Sequence, residues 1–408
     1  MDKSYFDNFR NGDYQRNNFD IFLSKIKFAY NVPSIHIAGS NGKGSTATYI
    51  ASVYSANGYK VGLFTSPFLN EPNEMITING ENISDEDFKA IIDSSRKEID
   101  KYGLSAFEVQ TFAALTYFQN NKCDIAIIEC GMGGEVDATN IFTPVLSIIT
   151  SVSLEHTDYL GYSISEIAEQ KAGIIKPEIP VLLGELPDDA VTVIAKKCRE
   201  TKSKILSKGH YVNKEFDGSG FTFDYGECKG LRISSLADYS VDDACLALEA
   251  IYSLKEMFSY NESDLKKGLS EVNMPCRFEK LKDNPLVIID GGHNPEAIKK
   301  LCGKTLYNVF ASKPIHVIFA CFRDKNLGNM LSSLGEVTSD LTMTTFDNPR
   351  ARTEDEYFLF LGDYSFEADA KQLIINKINE FPDDAILITG SLAFAAQVRR
   401  WFKSGEIE

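Results

Sequence analysis

The sequence predicts an α/β protein of two domains, each built on a mainly parallel sheet. Short β-branched apolar runs alternate with longer amphipathic runs, which is typical of a parallel sheet with helices on both faces. This alternation begins after residue 33 and begins again after residue 285. The chain of 408 residues also exceeds one ordinary core. We therefore expect one domain at residues 1–273 and a smaller α/β domain at residues 274–408, divided near the segment MPCR.

The predicted elements follow one another along the chain. β-branched runs predict strands at residues 33–38, 60–65, 124–129, 145–150, 286–290, 316–320 and 385–389. Amphipathic runs predict helices at residues 45–57, 85–102, 106–120, 163–172, 242–257, 262–271, 295–302 and 391–401. The glycine-rich stretch 204–235 between them predicts a small β excursion.

Composition excludes several classes of function. The chain has 58 acidic and 42 basic residues, a net charge of -16. Its negative field repels phosphate backbones and anionic lipid, so we expect no nucleic-acid or membrane partner. The eight cysteines include no C-x-x-C pair, which favours reduced thiols. The amino terminus is polar, unlike a signal peptide, and no apolar run approaches the ~20 residues of a membrane span. We therefore expect a cytoplasmic enzyme.

A glycine-rich turn joins the first predicted strand to the helix after it. The turn reads IAGSNGKGST at residues 37–46. Glycines let backbone N–H groups surround a phosphate, and the positive end of the new helix attracts it. A lysine beside them adds a mobile positive charge. We therefore expect an ATP site formed by Asn41, Gly42, Lys43, Gly44 and Ser45. The alternative is a tight turn with an exposed lysine.

A carboxylate is expected at the same edge of the sheet. Mg²⁺ bound with ATP takes oxygen ligands, and Gly44 stands where phosphate loops usually carry a hydroxyl. Glu129 ends the apolar run DIAIIE, at the carboxyl end of a predicted parallel strand, where ligands gather in open sheets. Ser66 follows the second predicted strand at the same edge, where its hydroxyl is a candidate oxygen ligand. The alternative is a hydroxyl that only stabilises a turn or caps a helix.

The loop GSNGKGS resembles the GTNGKGS loop of folylpolyglutamate synthases and dihydrofolate synthases, within the Mur ligase superfamily. Further segments are similar to motifs of that family, in the same order: TSPF, ECGMGGEVDATN, EHTDYLG, MPCRFE, DGGHNP and TGSL. The resemblance implies a P-loop ATPase-like domain followed by a Rossmann-like domain. It also implies a monomeric ATP-dependent ligase that activates a folate carboxylate as an acyl phosphate and joins it to L-glutamate.

The resemblance implies roles for single residues as well. Ser66 and Glu129 would hold one Mg²⁺, and His156 and Lys171 a second. Lys171 would first be carbamylated by CO₂, which requires a neutral amine and hence a lowered pKa. A salt-bridged helix lysine is the alternative. The remaining substrate contacts would be Phe68 and Asp137 for the pterin, and His293 and Ser391 for glutamate.

Two nucleotide contacts are implied in the second half of the chain. Arg277 would spread charge in the transition state, as arginine fingers do, and Asp290 would contact the nucleotide. The chain departs from the family at several positions. Asp243 stands where an asparagine contacts adenine, Cys276 replaces the glycine before the arginine, and Ala393 replaces a tyrosine.

Rival functions remain open at this point. A cell-wall Mur ligase would need a nucleotide-sugar-binding domain, for which the roughly thirty residues before the first strand are too few. A P-loop phosphotransferase or ATPase would not need the DGGHNP segment. A non-enzymatic ATP-binding module is favoured only by the departures just named. Whether the acceptor is dihydropteroate, reduced folate or both is also left open.

Overall fold

The computed structural model describes residues 16–310, 313–360 and 364–408. Residues 1–15, to which most of the polar amino-terminal prediction applies, lie outside these ranges. No helix within the described ranges has both the length and the apolar character of a membrane span. The chain forms two compact units: the first comprises residues up to Asn213 with Phe223–Leu231 and Asp243–Val272, and the second comprises Lys214–Thr222, Arg232–Asp242 and Asn273–Glu408.

The first unit contains an eight-stranded sheet. Its strands are β1 Ser34–Ala38, β2 Val61–Phe64, β3 Ile76–Ile78, β4 Glu81–Asn82, β5 Ile125–Glu129, β6 Leu146–Ile149, β7 Val181–Leu183 and β8 Ile205–Ser207. They lie in the order β4-β3-β2-β5-β1-β6-β7-β8. The neighbours from β2 to β8 are parallel, whereas β3 pairs antiparallel with β2 and β4. All residues of β1, β5 and β6 are buried, as expected of strands covered on both faces.

Helices cover this sheet and bury its apolar side chains. They are α1 Asn17–Lys25, α2 Lys43–Ala56, α3 Asp85–Ser94, α4 Arg96–Tyr102, α5 Ala106–Asn120, α6 Thr157–Leu160, α7 Ile164–Ala172, α8 Asp188–Thr201, α9 Ser240–Ser253 (whose first three residues belong to the second unit) and α10 Glu262–Ser270. One apolar cluster packs α1, α3 and α5 against β2 and β5. Another packs α7 and α8 against β6 and β7.

The prediction of one helix at residues 85–102 is wrong. The chain leaves the helical conformation at Ser95, with φ -127° and ψ 13°, so that α3 and α4 are separate helices. The break lets α3 pack on α5 while α4 packs on α1. A serine tolerates such a break because its hydroxyl competes for backbone hydrogen bonds.

The predicted β excursion is confirmed as a three-stranded sheet. Its strands are β9 Tyr211–Phe216, β10 Phe221–Tyr225 and β11 Cys228–Ile233, in the order β11-β10-β9.

The second unit contains a six-stranded sheet. Its strands are β12 Glu279–Lys282, β13 Leu286–Ile289, β14 Ile315–Phe319, β15 Asp340–Thr344, β16 Ser365–Glu367 and β17 Ala385–Thr389, in the order β12-β13-β17-β14-β15-β16. Only β12 is antiparallel to its neighbour. The helices are α11 Pro295–Lys300, α12 Leu306–Phe310, α13 Leu327–Gly335, α14 Glu354–Tyr357, α15 Ala370–Glu380 and α16 Leu392–Lys403. Short 3₁₀ helices lie at Pro72–Met75 and Phe358–Phe360, and a π-type turn at Leu301–Thr305.

Candidate active site

The glycine-rich turn between β1 and α2 has a backbone that requires glycine. Gly42 begins α2 with φ 81°, a left-handed conformation that costs a side-chain-bearing residue free energy. A Cβ atom on Gly39 would lie 1.9 Å from Thr150 Oγ1. Lys43, Gly44 and Ser45 form the first turn of α2. The turn therefore presents the amino end of a helix at the edge of a buried parallel sheet, as the sequence predicts.

The segment that follows β6 holds this turn in place. Asn41 accepts hydrogen bonds through its backbone oxygen from Thr150 Oγ1 at 2.6 Å and from Ser151 Oγ at 3.0 Å. The Asn41 backbone N–H donates to Ser151 Oγ at 2.8 Å. Because these bonds come from the protein itself, the turn has its shape before a ligand binds.

Lys43, Ser66 and Glu129 come together beside the turn. Lys43 Nζ donates to Gly39 O at 3.0 Å and lies 3.9 Å from Glu129 Oε1. The other carboxylate oxygen, Glu129 Oε2, accepts the Ser66 backbone N–H at 3.0 Å. A Cβ atom on Gly44 would lie 3.3 Å from the same oxygen. The predicted meeting of these residues at one sheet edge is confirmed.

The oxygen atoms here fit a magnesium ion that also binds phosphate. Glu129 is only 4 % exposed, so its negative charge needs cationic neighbours. Mg²⁺ accepts one or two protein ligands and fills its other positions with water and phosphate oxygens. Among the described residues, no three His, Cys, Asp or Glu side chains cluster as a metal site made by protein alone. Glu129 and Ser66 therefore suit an ion that arrives with a nucleotide.

Lys171 forms a buried ion pair with Glu155. Its side chain is 1 % exposed, and Nζ donates to Glu155 Oε1 at 3.0 Å. Burial and the positive charge of Lys43 lower the pKa of Lys171, and Glu155 opposes that change. Burial alone would raise the pKa of Glu155, but Lys171 and Lys43 hold it at about 2. Burial thus acts in the direction that carbamylation requires, whereas the ion pair with Glu155 favours the charged amine.

The ion pair matches the alternative reading of Lys171 as a salt-bridged helix lysine. His156 lies next to Glu155 and begins α6 with φ 48°. A protonated Lys171 offers a positive charge and no oxygen. His156 and Lys171 therefore fit a second magnesium ion only after the lysine becomes a carbamate.

Asp137 organises the loop that carries it. Its Oδ2 accepts the Met132 backbone N–H at 2.8 Å, and its Oδ1 accepts the Thr139 N–H at 2.9 Å and the Thr139 hydroxyl at 2.5 Å. Burial raises the pKa of Asp137, and the hydrogen bonds of its loop oppose this. Phe68 packs against the apolar cluster around β2 and β5. The role of both residues toward a pterin stays a prediction.

Asp243, in the first turn of α9, reaches the phosphate loop. A Cβ atom built on Gly42 would lie 2.5 Å from Asp243 Oδ1. The carboxylate therefore lies against the glycine at the amino end of α2. A negative charge at this position is stabilised by the dipole of α2.

In the second unit, Asp290 follows β13 and is almost fully buried. It accepts hydrogen bonds from Tyr239 Oη at 2.8 Å, the Phe278 N–H at 2.9 Å and the Gly292 N–H at 2.8 Å. Burial raises its pKa, and the nearby positive charge of Arg277 opposes that rise. Its carboxylate therefore supports the turn that carries the arginine.

His293 and Ser391 follow neighbouring strands of the second unit. His293 comes shortly after β13 and Ser391 directly precedes α16, after β17, and these strands pair in parallel. His293 Nδ1 lies 3.0 Å from the Gly291 backbone oxygen. Ser391 is 1 % exposed, and its Oγ has no hydrogen-bond partner within the described residues. A buried hydroxyl without a partner is suited to a ligand.

Sequence reasoning missed the residues that support these side chains. Thr150 and Ser151 lie about 110 positions from the loop that they hold. No role is predicted for Glu155 from the sequence. The sequence carries no local signal for the pairing of Glu155 with Lys171, because 16 residues and the start of α7 separate them.

Comparison with known proteins assigns the family. The sequence model of the Mur ligase middle domain matches residues 37–250, and that of the Mur ligase glutamate ligase domain matches residues 276–392. The chain is 35% identical over 389 residues to the folylpolyglutamate synthase of Lacticaseibacillus casei, covering 91% of this chain and 90% of the relative. This chain belongs to the folylpolyglutamate synthase and dihydrofolate synthase family. The resemblance inferred from the sequence is confirmed.

Other members of the folylpolyglutamate synthase family match over similar lengths. The dihydrofolate synthase/folylpolyglutamate synthase of Bacillus subtilis (strain 168) is 33% identical over 401 residues, covering 91% of each chain. The structure of E. coli FolC in complex with DHPP and ADP has a TM-score of 0.88 at 26% identity and covers 99% of this chain and 97% of that one. The fold class and the assignment as an ATP-dependent ligase are confirmed with the family.

Proposed function

We propose that this chain is an ATP-dependent ligase that joins the carboxylate of a folate to the amino group of L-glutamate. The reaction is polyglutamylation of tetrahydrofolate, with conversion of dihydropteroate to dihydrofolate as a further activity. The observation that carries the proposal is the group formed by Lys43, Ser66 and Glu129 beside a preformed glycine loop. Phosphoryl transfer is catalysed mainly by positioning and charge, and this group supplies both.

The nucleotide phosphates bind to the loop at Asn41, Gly42, Lys43, Gly44 and Ser45. Lys43, whose Nζ donates to Gly39 O, is proposed to follow the β- and γ-phosphates. Glu129 and Ser66 would hold Mg²⁺, which when bound neutralises charge on the phosphate oxygens. Asp243, Arg277 and Asp290 are the further nucleotide contacts in this proposal.

The acceptor carboxylate is activated before the amide forms. A carboxylate oxygen attacks the γ-phosphorus, the bond to the β-phosphate oxygen breaks, and ADP leaves. Lys43 and Arg277 spread the charge that develops in this step. The product is an acyl phosphate of the folate. Phe68 and Asp137 are proposed to line the pterin site that positions this carboxylate.

The neutral amine of glutamate then attacks the acyl carbon. Inorganic phosphate leaves with one former carboxylate oxygen, and the amine loses a proton. His293 and Ser391 are proposed to hold the incoming glutamate, with support from the buried Ser391 hydroxyl, which has no hydrogen-bond partner among the described residues. His156 and a carbamylated Lys171 would hold a second magnesium ion at this stage.

The organisation proposed for the whole protein follows from these roles. Residues 1–273 supply the ATP- and folate-binding domain in this proposal, and residues 274–408 the glutamate-binding domain, although Lys214–Thr222 and Arg232–Asp242 pack in the second compact unit. We propose a monomer in the cytoplasm. Eight free cysteines, seven of them buried, are consistent with a reducing compartment.

The test is release of ADP by the purified chain with Mg-ATP, with glutamate, and with tetrahydrofolate, dihydropteroate or no acceptor. The proposal expects release only when glutamate and a pterin acceptor are both present. The better acceptor then identifies the main activity. Release that does not depend on glutamate would refute the ligase and indicate a phosphotransferase or an ATPase.

A further inference from the structure

Arg277 lies in a turn with a strained backbone. The residues on either side of it, Cys276 and Phe278, both have left-handed conformations, with φ 60° and φ 49°. Residues that carry a Cβ atom adopt this conformation only when their surroundings enforce it. Both side chains are buried, with 0% of Cys276 and 1% of Phe278 exposed. The turn is therefore held by specific contacts, and these contacts decide where the arginine points.

Glu279 provides the contact on one side of the turn. Its Oε2 accepts the Cys276 backbone N–H at 2.8 Å. Arg399, on α16, donates from Nε to both carboxylate oxygens of Glu279, each at 2.8 Å. The two side chains are 18% and 13% exposed, so the pair is shielded from water on most of its surface. The arginine on α16 thereby fixes the carboxylate that holds the turn.

Asp290 provides the contact on the other side. Its Oδ2 accepts the Phe278 backbone N–H at 2.9 Å, and the Gly291 N–H donates to the Cys276 backbone oxygen at 2.8 Å. A Cβ atom on Gly291 would lie 3.1 Å from Arg277 Nη1, so the guanidinium group lies directly over this glycine. Glu279 and Asp290 thus hold the two strained residues between which Arg277 stands.

We propose that Glu279 is a positioning residue for Arg277, with Arg399 as its anchor. The inference rests on the proposed function, in which Arg277 spreads charge during phosphoryl transfer. The Glu279 carboxylate contacts the Cys276 N–H and Arg399. It fixes the left-handed Cys276, and the backbone then directs the guanidinium group. Without this hold the turn relaxes and the arginine moves from its place.

The test compares steady-state kinetics of Glu279→Ala and Glu279→Gln with those of the unchanged chain. Misplacement of a catalytic group by about 1 Å lowers turnover by about a hundredfold, so we expect a fall of that order in kcat for the alanine variant. The KM for glutamate stays unchanged. The glutamine variant retains an oxygen for the Cys276 N–H and recovers part of the activity.

A double-mutant cycle separates positioning from a general effect on folding. In an Arg277→Ala background, Glu279→Ala changes kcat by less than about twofold, because the group that it positions is gone. Glu356→Ala is the matched control. It removes the carboxylate of another arginine pair in the same unit, with Arg323 Nε at 2.8 Å, and leaves kcat unchanged.

Two results would overturn the proposal. One is an unchanged kcat for Glu279→Ala. The other is an equal fall in the presence and absence of Arg277, which indicates a structural role only. An unchanged kcat for Arg277→Ala itself would instead refute the role of Arg277 in the proposed function, and the positioning role with it.

Discussion

The buried pair of Lys171 and Glu155 gives a prediction whose size follows from the structure. Glu155→Gln keeps the side-chain volume but removes the counter-charge of a lysine that is 1 % exposed. The two neighbouring lysines hold the pKa of Glu155 at about 2 against its ordinary 4.5. This difference corresponds to about 3 kcal/mol of stabilisation by the ionised carboxylate. We therefore expect the variant to lose about 3 kcal/mol of stability at neutral pH.

The sign of the pH dependence follows from the same pKa. The folded chain holds the pKa of Glu155 below the value in the unfolded chain. The stabilisation is thus complete above about pH 4.5 and is lost as the pH falls from about 4.5 toward 2. The glutamine variant has no such titration. The difference in stability between the two proteins should shrink across this window.

The assay is native-state amide hydrogen exchange of the segments around α7, since a chain of two units need not unfold in one step. The buffer contains neither bicarbonate nor divalent cations, so that Lys171 stays an amine. Glu169→Gln, an exposed change on the same helix, is the control and should leave the exchange unchanged. A loss below about 1 kcal/mol at neutral pH, or a loss that is equal at pH 3 and pH 7, would refute the reasoning.

Four further predictions concern single residues. Lys43→Ala should lower turnover by roughly a hundred- to a thousandfold, and unchanged ADP release would contradict its place at the phosphates. Asp243→Asn should bind Mg-ATP at least about fivefold more tightly in calorimetry, because the change removes a negative charge beside the phosphate loop. Equal or weaker binding, or the same gain in the control variant Asp242→Asn, would contradict this. With isotope-labelled bicarbonate, carbon NMR should show a carbamate signal that increases with pH and is absent from Lys171→Arg, and identical spectra would exclude carbamylation at this lysine. Lys202→Gly should raise stability by about 0.5–1 kcal/mol, because the exposed Lys202 has a left-handed backbone, φ 55°, at the end of α8, and glycine adopts this conformation without strain. A lower melting temperature of the variant would contradict this.

The sequence predicts most of the buried strands, but it misses β7 and β15, which are buried and lie inside their sheets, as well as the edge strands. β1, β5, β6 and β17 are continuous apolar runs, and their positions are confirmed within one residue at each end. The edge strands β4 and β16 are short and mostly exposed, so no apolar period marks them. The break at Ser95 was also missed, although no apolar residue lies between Ile92 and Ile99.

In the candidate site, features within one short segment of the chain could be predicted, and contacts between distant segments could not. The phosphate loop could be predicted because all its parts lie within ten consecutive residues between a strand and a helix. Glu129 and Ser66 could be placed at its edge because parallel strands end together. The pairing of Glu279 with Arg399 could not be predicted, because 120 residues separate them and only the fold brings them together.

The central claim is that an acyl phosphate of the folate precedes the amide bond. We would supply the chain with Mg-ATP, glutamate and a pterin acceptor whose reacting carboxylate carries heavy oxygen, and analyse the released inorganic phosphate by mass spectrometry. The account predicts that each phosphate released carries one heavy oxygen from the acceptor. Phosphate without the label, released while the amide product accumulates, would contradict it.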